Sequence, residues 1–211
     1  MNYRITGTGS CIPDITKKNS DFLKNKFLDT DGGKFQTSNS EIIDKFNSIT
    51  GIYERRYAPD EINCSDLAAE AAGLAINDSK LDQETLDYII VAHNTGDISC
   101  SSGQVDTLPS VASKVKAKLK IKNPNCVAYD IICGCPGWVE GIIQAKSFIK
   151  SGMAEKCLVI GCDTLSRILD ENDRDSMIYA DGSGAIVLES DNSYDGGILS
   201  HKSATFTYDG E

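Results

Sequence analysis

The chain has 211 residues, of which 40% are hydrophobic and 25% are charged. These proportions are ordinary for a globular protein with one sizeable core or two small ones. The formal net charge is −10 and no basic cluster is present, so nucleic acid is excluded as the main partner. No stretch approaches the roughly 18 unbroken apolar residues of a membrane helix. The N-terminus lacks a secretory signal, so we expect a cytoplasmic protein with no membrane partner.

Strand and helix patterns alternate along the chain. Strand-like runs occupy residues 3–9, 88–92, 126–132, 156–162, 185–189 and 197–206. Helical spacing is found at 19–26, 41–49, 67–76 with Ser65 as its N-cap, 81–86, 108–119 and 138–150, and polar loops at 28–40, 93–107 and 163–175. This order predicts an α/β fold with a mostly parallel, mixed sheet covered by helices on both faces. No linker divides the chain, so residues 1–211 are treated as one unit.

The eight cysteines are interpreted as reduced thiols. Cys126, Cys157 and Cys162 lie inside apolar strand patterns, where cysteine acts as a small hydrophobic residue. A metal site built on Cys133 and Cys135 lacks a second cysteine or histidine pair at zinc-finger spacing. We therefore predict no metal, and a cysteine-rich metal or redox protein remains an alternative interpretation.

The most informative stretch is residues 125–152, where a buried strand runs through Gly134-Cys135-Pro136-Gly137 into a helix. A cysteine in such a bend is a candidate nucleophile, because a helix N-terminus lowers the pKa of a thiol and its free amides hold an oxyanion. Cys133 is expected to face the core. From the pattern alone, a packing role for Cys135 is the commoner explanation.

Further segments surround this bend in a fixed order. They are TGI at 50–52 followed by ERR at 54–56, DIICGCPGW at 130–138, VIG at 159–161 with Asp163, Asp173-Arg174, and DGSGA at 181–185. With these segments the chain resembles the ketoacyl synthase III group of the thiolase-like condensing enzymes, along essentially its whole length. The resemblance implies the N-terminal half of the thiolase-like fold.

The resemblance also implies roles for individual residues. Cys135 would be the nucleophile that forms the acyl-enzyme, with its own backbone amide as an oxyanion donor. Leu108 would line the acyl pocket near a dimer interface, and Leu165 would be a second pocket residue. Arg174 would grip the nucleotide end of coenzyme A. We interpret the glycine-rich segment 181–185 as a tight, structural strand connection.

Two departures from the family pattern stand out. Lys45 and Ile49 replace the family's tryptophan and arginine clamp for coenzyme A, so the donor would bind differently or arrive on acyl carrier protein. The family's second half supplies a histidine and an asparagine, and this chain has only His93 and His201, for which we expect structural roles. The fragment alone is therefore expected to be inactive in condensation.

The implied activity is an acyltransferase reaction of fatty acid biosynthesis. A cysteine-bound acyl group would undergo decarboxylative Claisen condensation with malonyl-acyl carrier protein. Acyl-coenzyme A and acyl carrier protein would be substrates and partners, with a homodimer as the assembly and no cofactor beyond these thioesters. The alternatives are an enzyme joining long β-keto acyl chains in secondary metabolism and a non-catalytic half-subunit.

Overall fold

A five-stranded mixed sheet forms the centre of the computed structural model, which describes residues 2–207. Nine strands are present in the described residues: β1 Tyr3–Cys11, β2 Ile15–Lys18, β3 Glu54–Tyr57, β4 Tyr88–His93, β5 Asp97–Ile98, β6 Val105–Asp106, β7 Val127–Ile132, β8 Lys156–Thr164 and β9 Asp181–Ser190. The main sheet has the order β1-β9-β8-β4-β7. Two short two-stranded antiparallel sheets, β2-β3 and β5-β6, lie outside it.

Four of the five main strands run in one direction. β4 is parallel to both β7 and β8, whereas β9 is antiparallel to β8 and to β1. The carboxyl ends of β4, β7 and β8 therefore meet at one edge of the sheet, the position at which open α/β sheets bind ligands. The predicted α/β class with a mostly parallel, mixed sheet is confirmed.

The described residues contain four α-helices: α1 Asn39–Thr50, α2 Cys64–Ser79, α3 Val111–Lys118 and α4 Gly137–Ser151. α2 and α3 cover one face of the sheet, where the core includes Val91, Leu158 and Val187. α4 covers the opposite face with Ile142, Ala145 and Ile149. Because both faces are covered, the central strands β4 and β8 are apolar along most of their length.

α2 lies unusually close to β1. Ala71 and Ala75 are fully buried on the helix face that meets Gly7 and Gly9. A Cβ atom added to Gly7 would strike Ala75 O and lie 2.7 Å from Ser79 N, and one added to Gly9 would lie 2.6 Å from Ala75 N. The alanines and glycines are therefore required by backbone-to-backbone packing.

α1 belongs to a small separate cluster of apolar side chains. Phe22, Phe27, Ile42, Ile43 and Met177 are buried there. The helix begins with Ser38, which caps the amide of Glu41, and it ends at Gly51 in the left-handed conformation at φ 69°. The predicted helix at 41–49 and its stop at Thr50-Gly51 are confirmed.

Several local predictions are wrong. Residues 19–26 contain only a short 3-10 helix, Asn19–Phe22. Asn63, not Ser65, is the N-cap of α2; Ser65 lies in the first turn and donates from both N and Oγ to Asp97. The Ser65 hydroxyl is hydrogen-bonded to Asp97, which belongs to a different segment of the chain. The local sequence does not reveal this partner.

The end of the chain also differs from expectation. The glycine-rich segment at 181–184 is not a turn, because it forms the start of β9 and pairs with β8. No strand forms between 197 and 206 in the described residues. That segment docks instead through the Tyr3 hydroxyl, which donates to Ile198 O and accepts from Ile198 N, both at 3.2 Å.

None of the helices within residues 2–207 combines the length and the apolar character needed to cross a membrane.

Candidate active site

The bend at Cys135 joins the carboxyl end of β7 to the amino end of α4. Gly134 adopts the left-handed conformation at φ 63°, which residues with a Cβ rarely accept. Its carbonyl oxygen accepts a hydrogen bond of 2.9 Å from the amide of Gly137. Cys135 is exposed and stands two residues before the helix begins. The predicted strand, bend and helix are therefore all present.

Cys135 lies on the wall of a cavity of about 280 Å³. The lining residues come from the carboxyl ends of β4, β7 and β8, from the start of α4 and from the start of β9: Ala92, Gly134, Cys135, Trp138, Gly161, Cys162, Asp163, Leu165, Ala180, Gly182, Ser183 and Gly184. The small residues of β9 leave space beside the thiol. This explains the glycine-rich segment better than the predicted turn does.

Close packing fixes the first turn of α4. A Cβ atom on Gly137 would lie 3.1 Å from Ala92 Cβ, and the Trp138 ring lies over Gly161, with Cδ1 3.2 Å from where its Cβ would stand. Trp138 Nε1 is buried without a hydrogen-bond partner in the described part of the chain. The indole thus forms a rigid, mainly apolar wall next to Cys135.

Asp130 ties three elements together behind the bend. Its carboxylate accepts hydrogen bonds from His93 Nε2 at 3.0 Å and from the amides of Val111 and Ala112 at 2.8 Å each. The carboxylate therefore caps the start of α3 while it holds the end of β4. Burial by itself would raise the pKa of Asp130, but these hydrogen bonds outweigh burial and hold the pKa below its usual value.

Replacing Asp130 with alanine is expected to lower the free energy of unfolding by about 2–4 kcal/mol at neutral pH, since three buried donors lose an acceptor. Because its pKa is lowered in the fold, the stabilisation by Asp130 is complete above about pH 4 and is lost as pH falls through the folded value. Urea denaturation followed by circular dichroism at neutral and acidic pH measures both effects.

Asp130→Asn is the matched control, because it keeps one acceptor oxygen and should cost less than the alanine variant. The interpretation would be contradicted by an Asp130→Ala penalty that does not shrink in acid.

Asn94 and Asp163 form a second polar link at this edge of the sheet. Asp163 accepts hydrogen bonds from the Asn94 backbone amide at 2.9 Å and from Asn94 Nδ2 at 2.7 Å. Burial raises the pKa of Asp163, although these two hydrogen bonds oppose the shift. The link joins the segment after β4 to the carboxyl end of β8. Asp163 also lines the Cys135 cavity.

The structure places the predicted site residues in different surroundings. Leu165 lines the Cys135 cavity. Leu108 does not line it, and its side chain is 82% exposed beside the cis peptide bond to Pro109. Arg174 lies in a separate groove of about 330 Å³ between α1 and the 3-10 helix Arg174–Ile178.

The groove at Arg174 also contains the two replaced positions. Lys45 and Ile49 line it together with Arg174, Phe46 and Met177. The Arg174 guanidinium stands over the ring of Phe35, 4.9 Å from its centroid. Two cations and the Asp175 carboxylate, which lies 3.8 Å from Arg174 Nε, thus border a largely apolar floor.

Cys133 and the two histidines lie outside the lining of the Cys135 cavity. The prediction that Cys133 faces the core is wrong, because β7 ends at Ile132 and Cys133 is exposed. His93 is buried against Asp130, in agreement with a structural role. His201 is exposed and lies outside any strand. Neither imidazole lines the Cys135 cavity, and within residues 2–207 no three His, Cys, Asp or Glu side chains converge as metal ligands.

Comparison with known proteins gives a consistent result. A sequence profile described as 3-oxoacyl-[acyl-carrier-protein] synthase III matches residues 129–206, which include the bend. The chain is 40% identical over 190 residues to the β-ketoacyl-[acyl-carrier-protein] synthase III of Neisseria gonorrhoeae, covering 89% of this chain and 52% of that one. Along about nine tenths of its length, the chain is similar to the synthase III family.

Two further members of the synthase III family extend the match. The enzyme of Ehrlichia ruminantium is 37% identical over 198 residues, covering 93% of this chain and 55% of the relative. The crystal structure of the Aquifex aeolicus synthase III superposes with a TM-score of 0.72 at 33% identity, covering 90% of this chain and 55% of that chain. The chain spans about half the length of the curated relatives it matches.

Two residues at the candidate site are absent from the sequence-based prediction. Asn94 was not included, and Trp138 was not assigned as a cavity wall. A signal for Asn94 was available, because a polar side chain directly after a buried parallel strand points to the ligand edge of the sheet. Its pairing with Asp163 depends on β4 and β8 being neighbours, which the chain order alone does not give.

Proposed function

We propose that this chain works in a condensing enzyme of fatty acid biosynthesis, which joins a Cys135-bound acyl group to malonyl-acyl carrier protein. The observation that carries the proposal is the exposed Cys135 thiol on a cavity wall at the amino end of α4. The similarity of the chain to the synthase III family supports the same chemistry. Acyl-coenzyme A or an acyl carrier protein thioester would supply the acyl group.

In the first half-reaction, the Cys135 sulfur attacks the carbonyl carbon of the acyl thioester. A new carbon–sulfur bond forms, the donor's carbon–sulfur bond breaks, and the departing thiolate takes up a proton. The tetrahedral intermediate carries an oxyanion, which the Cys135 amide and the positive end of α4 would stabilise. Trp138 and Leu165 would flank the bound acyl group, since both line the cavity.

The second half-reaction needs groups that this cavity does not provide. Decarboxylation of the malonyl group releases carbon dioxide and leaves an enolate, which then attacks the acyl-Cys135 carbonyl, so that a carbon–carbon bond forms, the carbon–sulfur bond to Cys135 breaks and the Cys135 thiolate leaves. His93 is committed to Asp130, and among the described residues no imidazole lines the cavity. We therefore propose that this chain supplies the nucleophile half of the site, and that a second half or a partner subunit supplies the enolate-stabilising groups.

The groove at Arg174 supports a thioester donor with an anionic carrier. Lys45 and Arg174 would attract phosphate groups, while Phe46 and Met177 offer an apolar floor. Arg174 is the only predicted contact to coenzyme A in this groove, so acyl carrier protein is the favoured donor. A homodimer is supported by the edge position of β7, where Ile132 is 69% exposed.

The proposal is tested by separating the two half-reactions. The chain is incubated with acetyl-coenzyme A, long-chain acyl-coenzyme A, or the matching acyl carrier protein thioesters, and acyl transfer to Cys135 is followed by intact-mass spectrometry. We expect acylation without β-ketoacyl product when malonyl-acyl carrier protein is added. Robust condensation by this chain alone would contradict the half-site proposal, and preferential acylation by long chains would favour the alternative enzyme that joins long β-keto acyl chains.

A further inference from the structure

The carboxyl ends of β4 and β8 meet at a polar pair that faces the Cys135 bend. Asn94 donates two hydrogen bonds to one carboxylate. Its backbone amide donates to Asp163 Oδ1, and its Nδ2 donates to Asp163 Oδ2. The carboxylate belongs to β8, and Asn94 follows the last residue of β4. The two hydrogen bonds fix the orientation of the Asn94 side chain.

The fixed side chain presents its acceptor side to the bend. Asn94 Oδ1 is the heavy atom nearest to the place where a Cβ on Gly134 would stand, at 3.4 Å. Gly134 is the left-handed residue whose carbonyl accepts the amide of Gly137 and so closes the bend. The Asn94 oxygen therefore sits against the one residue whose conformation directs the chain into Cys135.

The charge of Asp163 determines which end of the Asn94 amide faces the bend. An ionised carboxylate can only accept, so Nδ2 must face Asp163 and Oδ1 must face Gly134. A protonated carboxyl can donate, so the amide can rotate by half a turn and present its NH₂ group to the bend. The protonation state of Asp163 is thereby linked to the polarity next to Gly134.

We propose that Asp163 and Asn94 are positioning residues that hold the Gly134 bend and thereby set how the Cys135 thiol is presented to the cavity. This inference rests on the proposed role of Cys135 as the nucleophile. It adds to that role a pair of residues that need not touch the substrate and that act through the bend.

Other charged and titratable groups face Asp163 from the neighbouring strands. His93 at the end of β4 favours the ionised form, whereas Asp181 at the start of β9 opposes it. Cys162 precedes Asp163 in β8, and its thiol interacts electrostatically with the Asp163 carboxylate. Burial, and to a smaller extent Asp181, raises the pKa of Asp163, so the switch in amide orientation occurs at a higher pH than for an unperturbed aspartate.

The test measures the alkylation rate of Cys135 by iodoacetamide as a function of pH, with the modified peptide quantified by mass spectrometry. In the parent chain, the rate should fall more steeply in acid than loss of thiolate alone predicts, because Asp163 also protonates. Asp163→Asn should remove that extra fall. It should also slow the reaction by about tenfold, since a displacement of about 1 Å can cost a reaction up to roughly 100-fold.

Asn94→Ala carries the test independently of the folding of the Asp163 variant, because it keeps the backbone amide that donates to Asp163 and removes only the carboxamide. It should slow alkylation by a similar factor. Asp191→Asn is the matched control: Asp191 also accepts from a neighbouring backbone amide and side chain, at Ser193, but it is remote from the cavity. Its rate profile should equal that of the parent chain.

The outcomes separate the inference from the proposed function. A reactive Cys135 whose pH profile is unchanged in folded Asp163→Asn and Asn94→Ala would overturn the positioning role alone. A Cys135 that does not react in the parent chain would overturn both. A rate loss confined to Asp163→Asn and Asn94→Ala, with the extra acid dependence absent in Asp163→Asn, supports the inference.

Discussion

Replacing Gly7 with alanine is expected to lower the free energy of unfolding by at least about 3 kcal/mol, at the upper end of the penalties for overpacking. The added Cβ would meet Ala75 O and would lie 2.7 Å from Ser79 N. Both are backbone atoms of α2, so no side chain can rotate away and the helix itself must move off β1. In a domain of this size the change corresponds to a melting temperature lower by roughly 6–12 °C.

Gly73→Ala is the matched control, since Gly73 lies in α2 but a Cβ there would meet only Leu119 Cδ2 at 3.9 Å. Alanine is the better helix former, so this variant should be more stable than the parent by about 0.5–1 kcal/mol. Thermal and urea denaturation followed by circular dichroism compare the two. The close contact of α2 with β1 would be refuted if Gly7→Ala melted within about 2 °C of the parent chain.

Replacing Cys135 with alanine is expected to abolish acyl transfer to the chain, with a loss of at least about 1,000-fold in the acylation rate. The thiol is the group that forms the new carbon–sulfur bond, and alanine offers no nucleophile in its place. Because Cys135 is exposed, the stability of the variant should stay within about 0.5 kcal/mol of the parent. Intact-mass and peptide mass spectrometry with a thiol-directed acyl epoxide measure the loss.

Cys133→Ala provides the control for this experiment. Cys133 is also exposed and lies only two residues away, but it is absent from the cavity lining. The Cys133 variant should be labelled at Cys135 to the same extent as the parent chain. Equal labelling of the Cys135→Ala variant would show that another thiol accepts the acyl group.

Some features of the fold could be predicted from the sequence, above all the central strands, which are buried on both faces of the sheet. β4 and β8 are runs of apolar residues without alternation, which is typical of central parallel strands, and both were predicted within two residues. The bend at Cys135 was predictable because glycines and proline stand between a strand and a helix pattern. In these places local sequence and tertiary environment demand the same residues.

The wrong predictions share a different physical cause. The segment 181–184 consists of small, flexible residues that are typical of turns, yet pairing with β8 holds it as a strand and the small side chains leave room for the cavity. Residues 197–206 have a strand-like apolar pattern, yet Leu199 is 92% exposed. The conformation of 181–184 is decided by a distant strand that pairs with it. The conformation of 197–206 follows from its not pairing with any strand among the described residues.

The polar links of the site were beyond prediction for the same reason. Asn94 and Asp163 are 69 positions apart, and Asp130 reaches back 37 positions to His93. Each link depends on the order of strands in the sheet, not on any local pattern. Cys135 and Leu165, for which the family resemblance implies a nucleophile and a pocket residue, line one cavity, while the groove at Arg174 and the exposed Leu108 lie apart from it.

The position of β1 at the edge of the sheet bears on how the chain is synthesised. β1 pairs only with β9 in the main sheet, with Tyr3 opposite Ser190, so the first described strand cannot pair until the last described strand has formed. During translation the opening residues must leave the ribosome without their hydrogen-bonding partner until residue 190 has emerged. Such long-range pairing slows folding and keeps a strand edge open, so the nascent chain has a period in which chaperone binding would protect it.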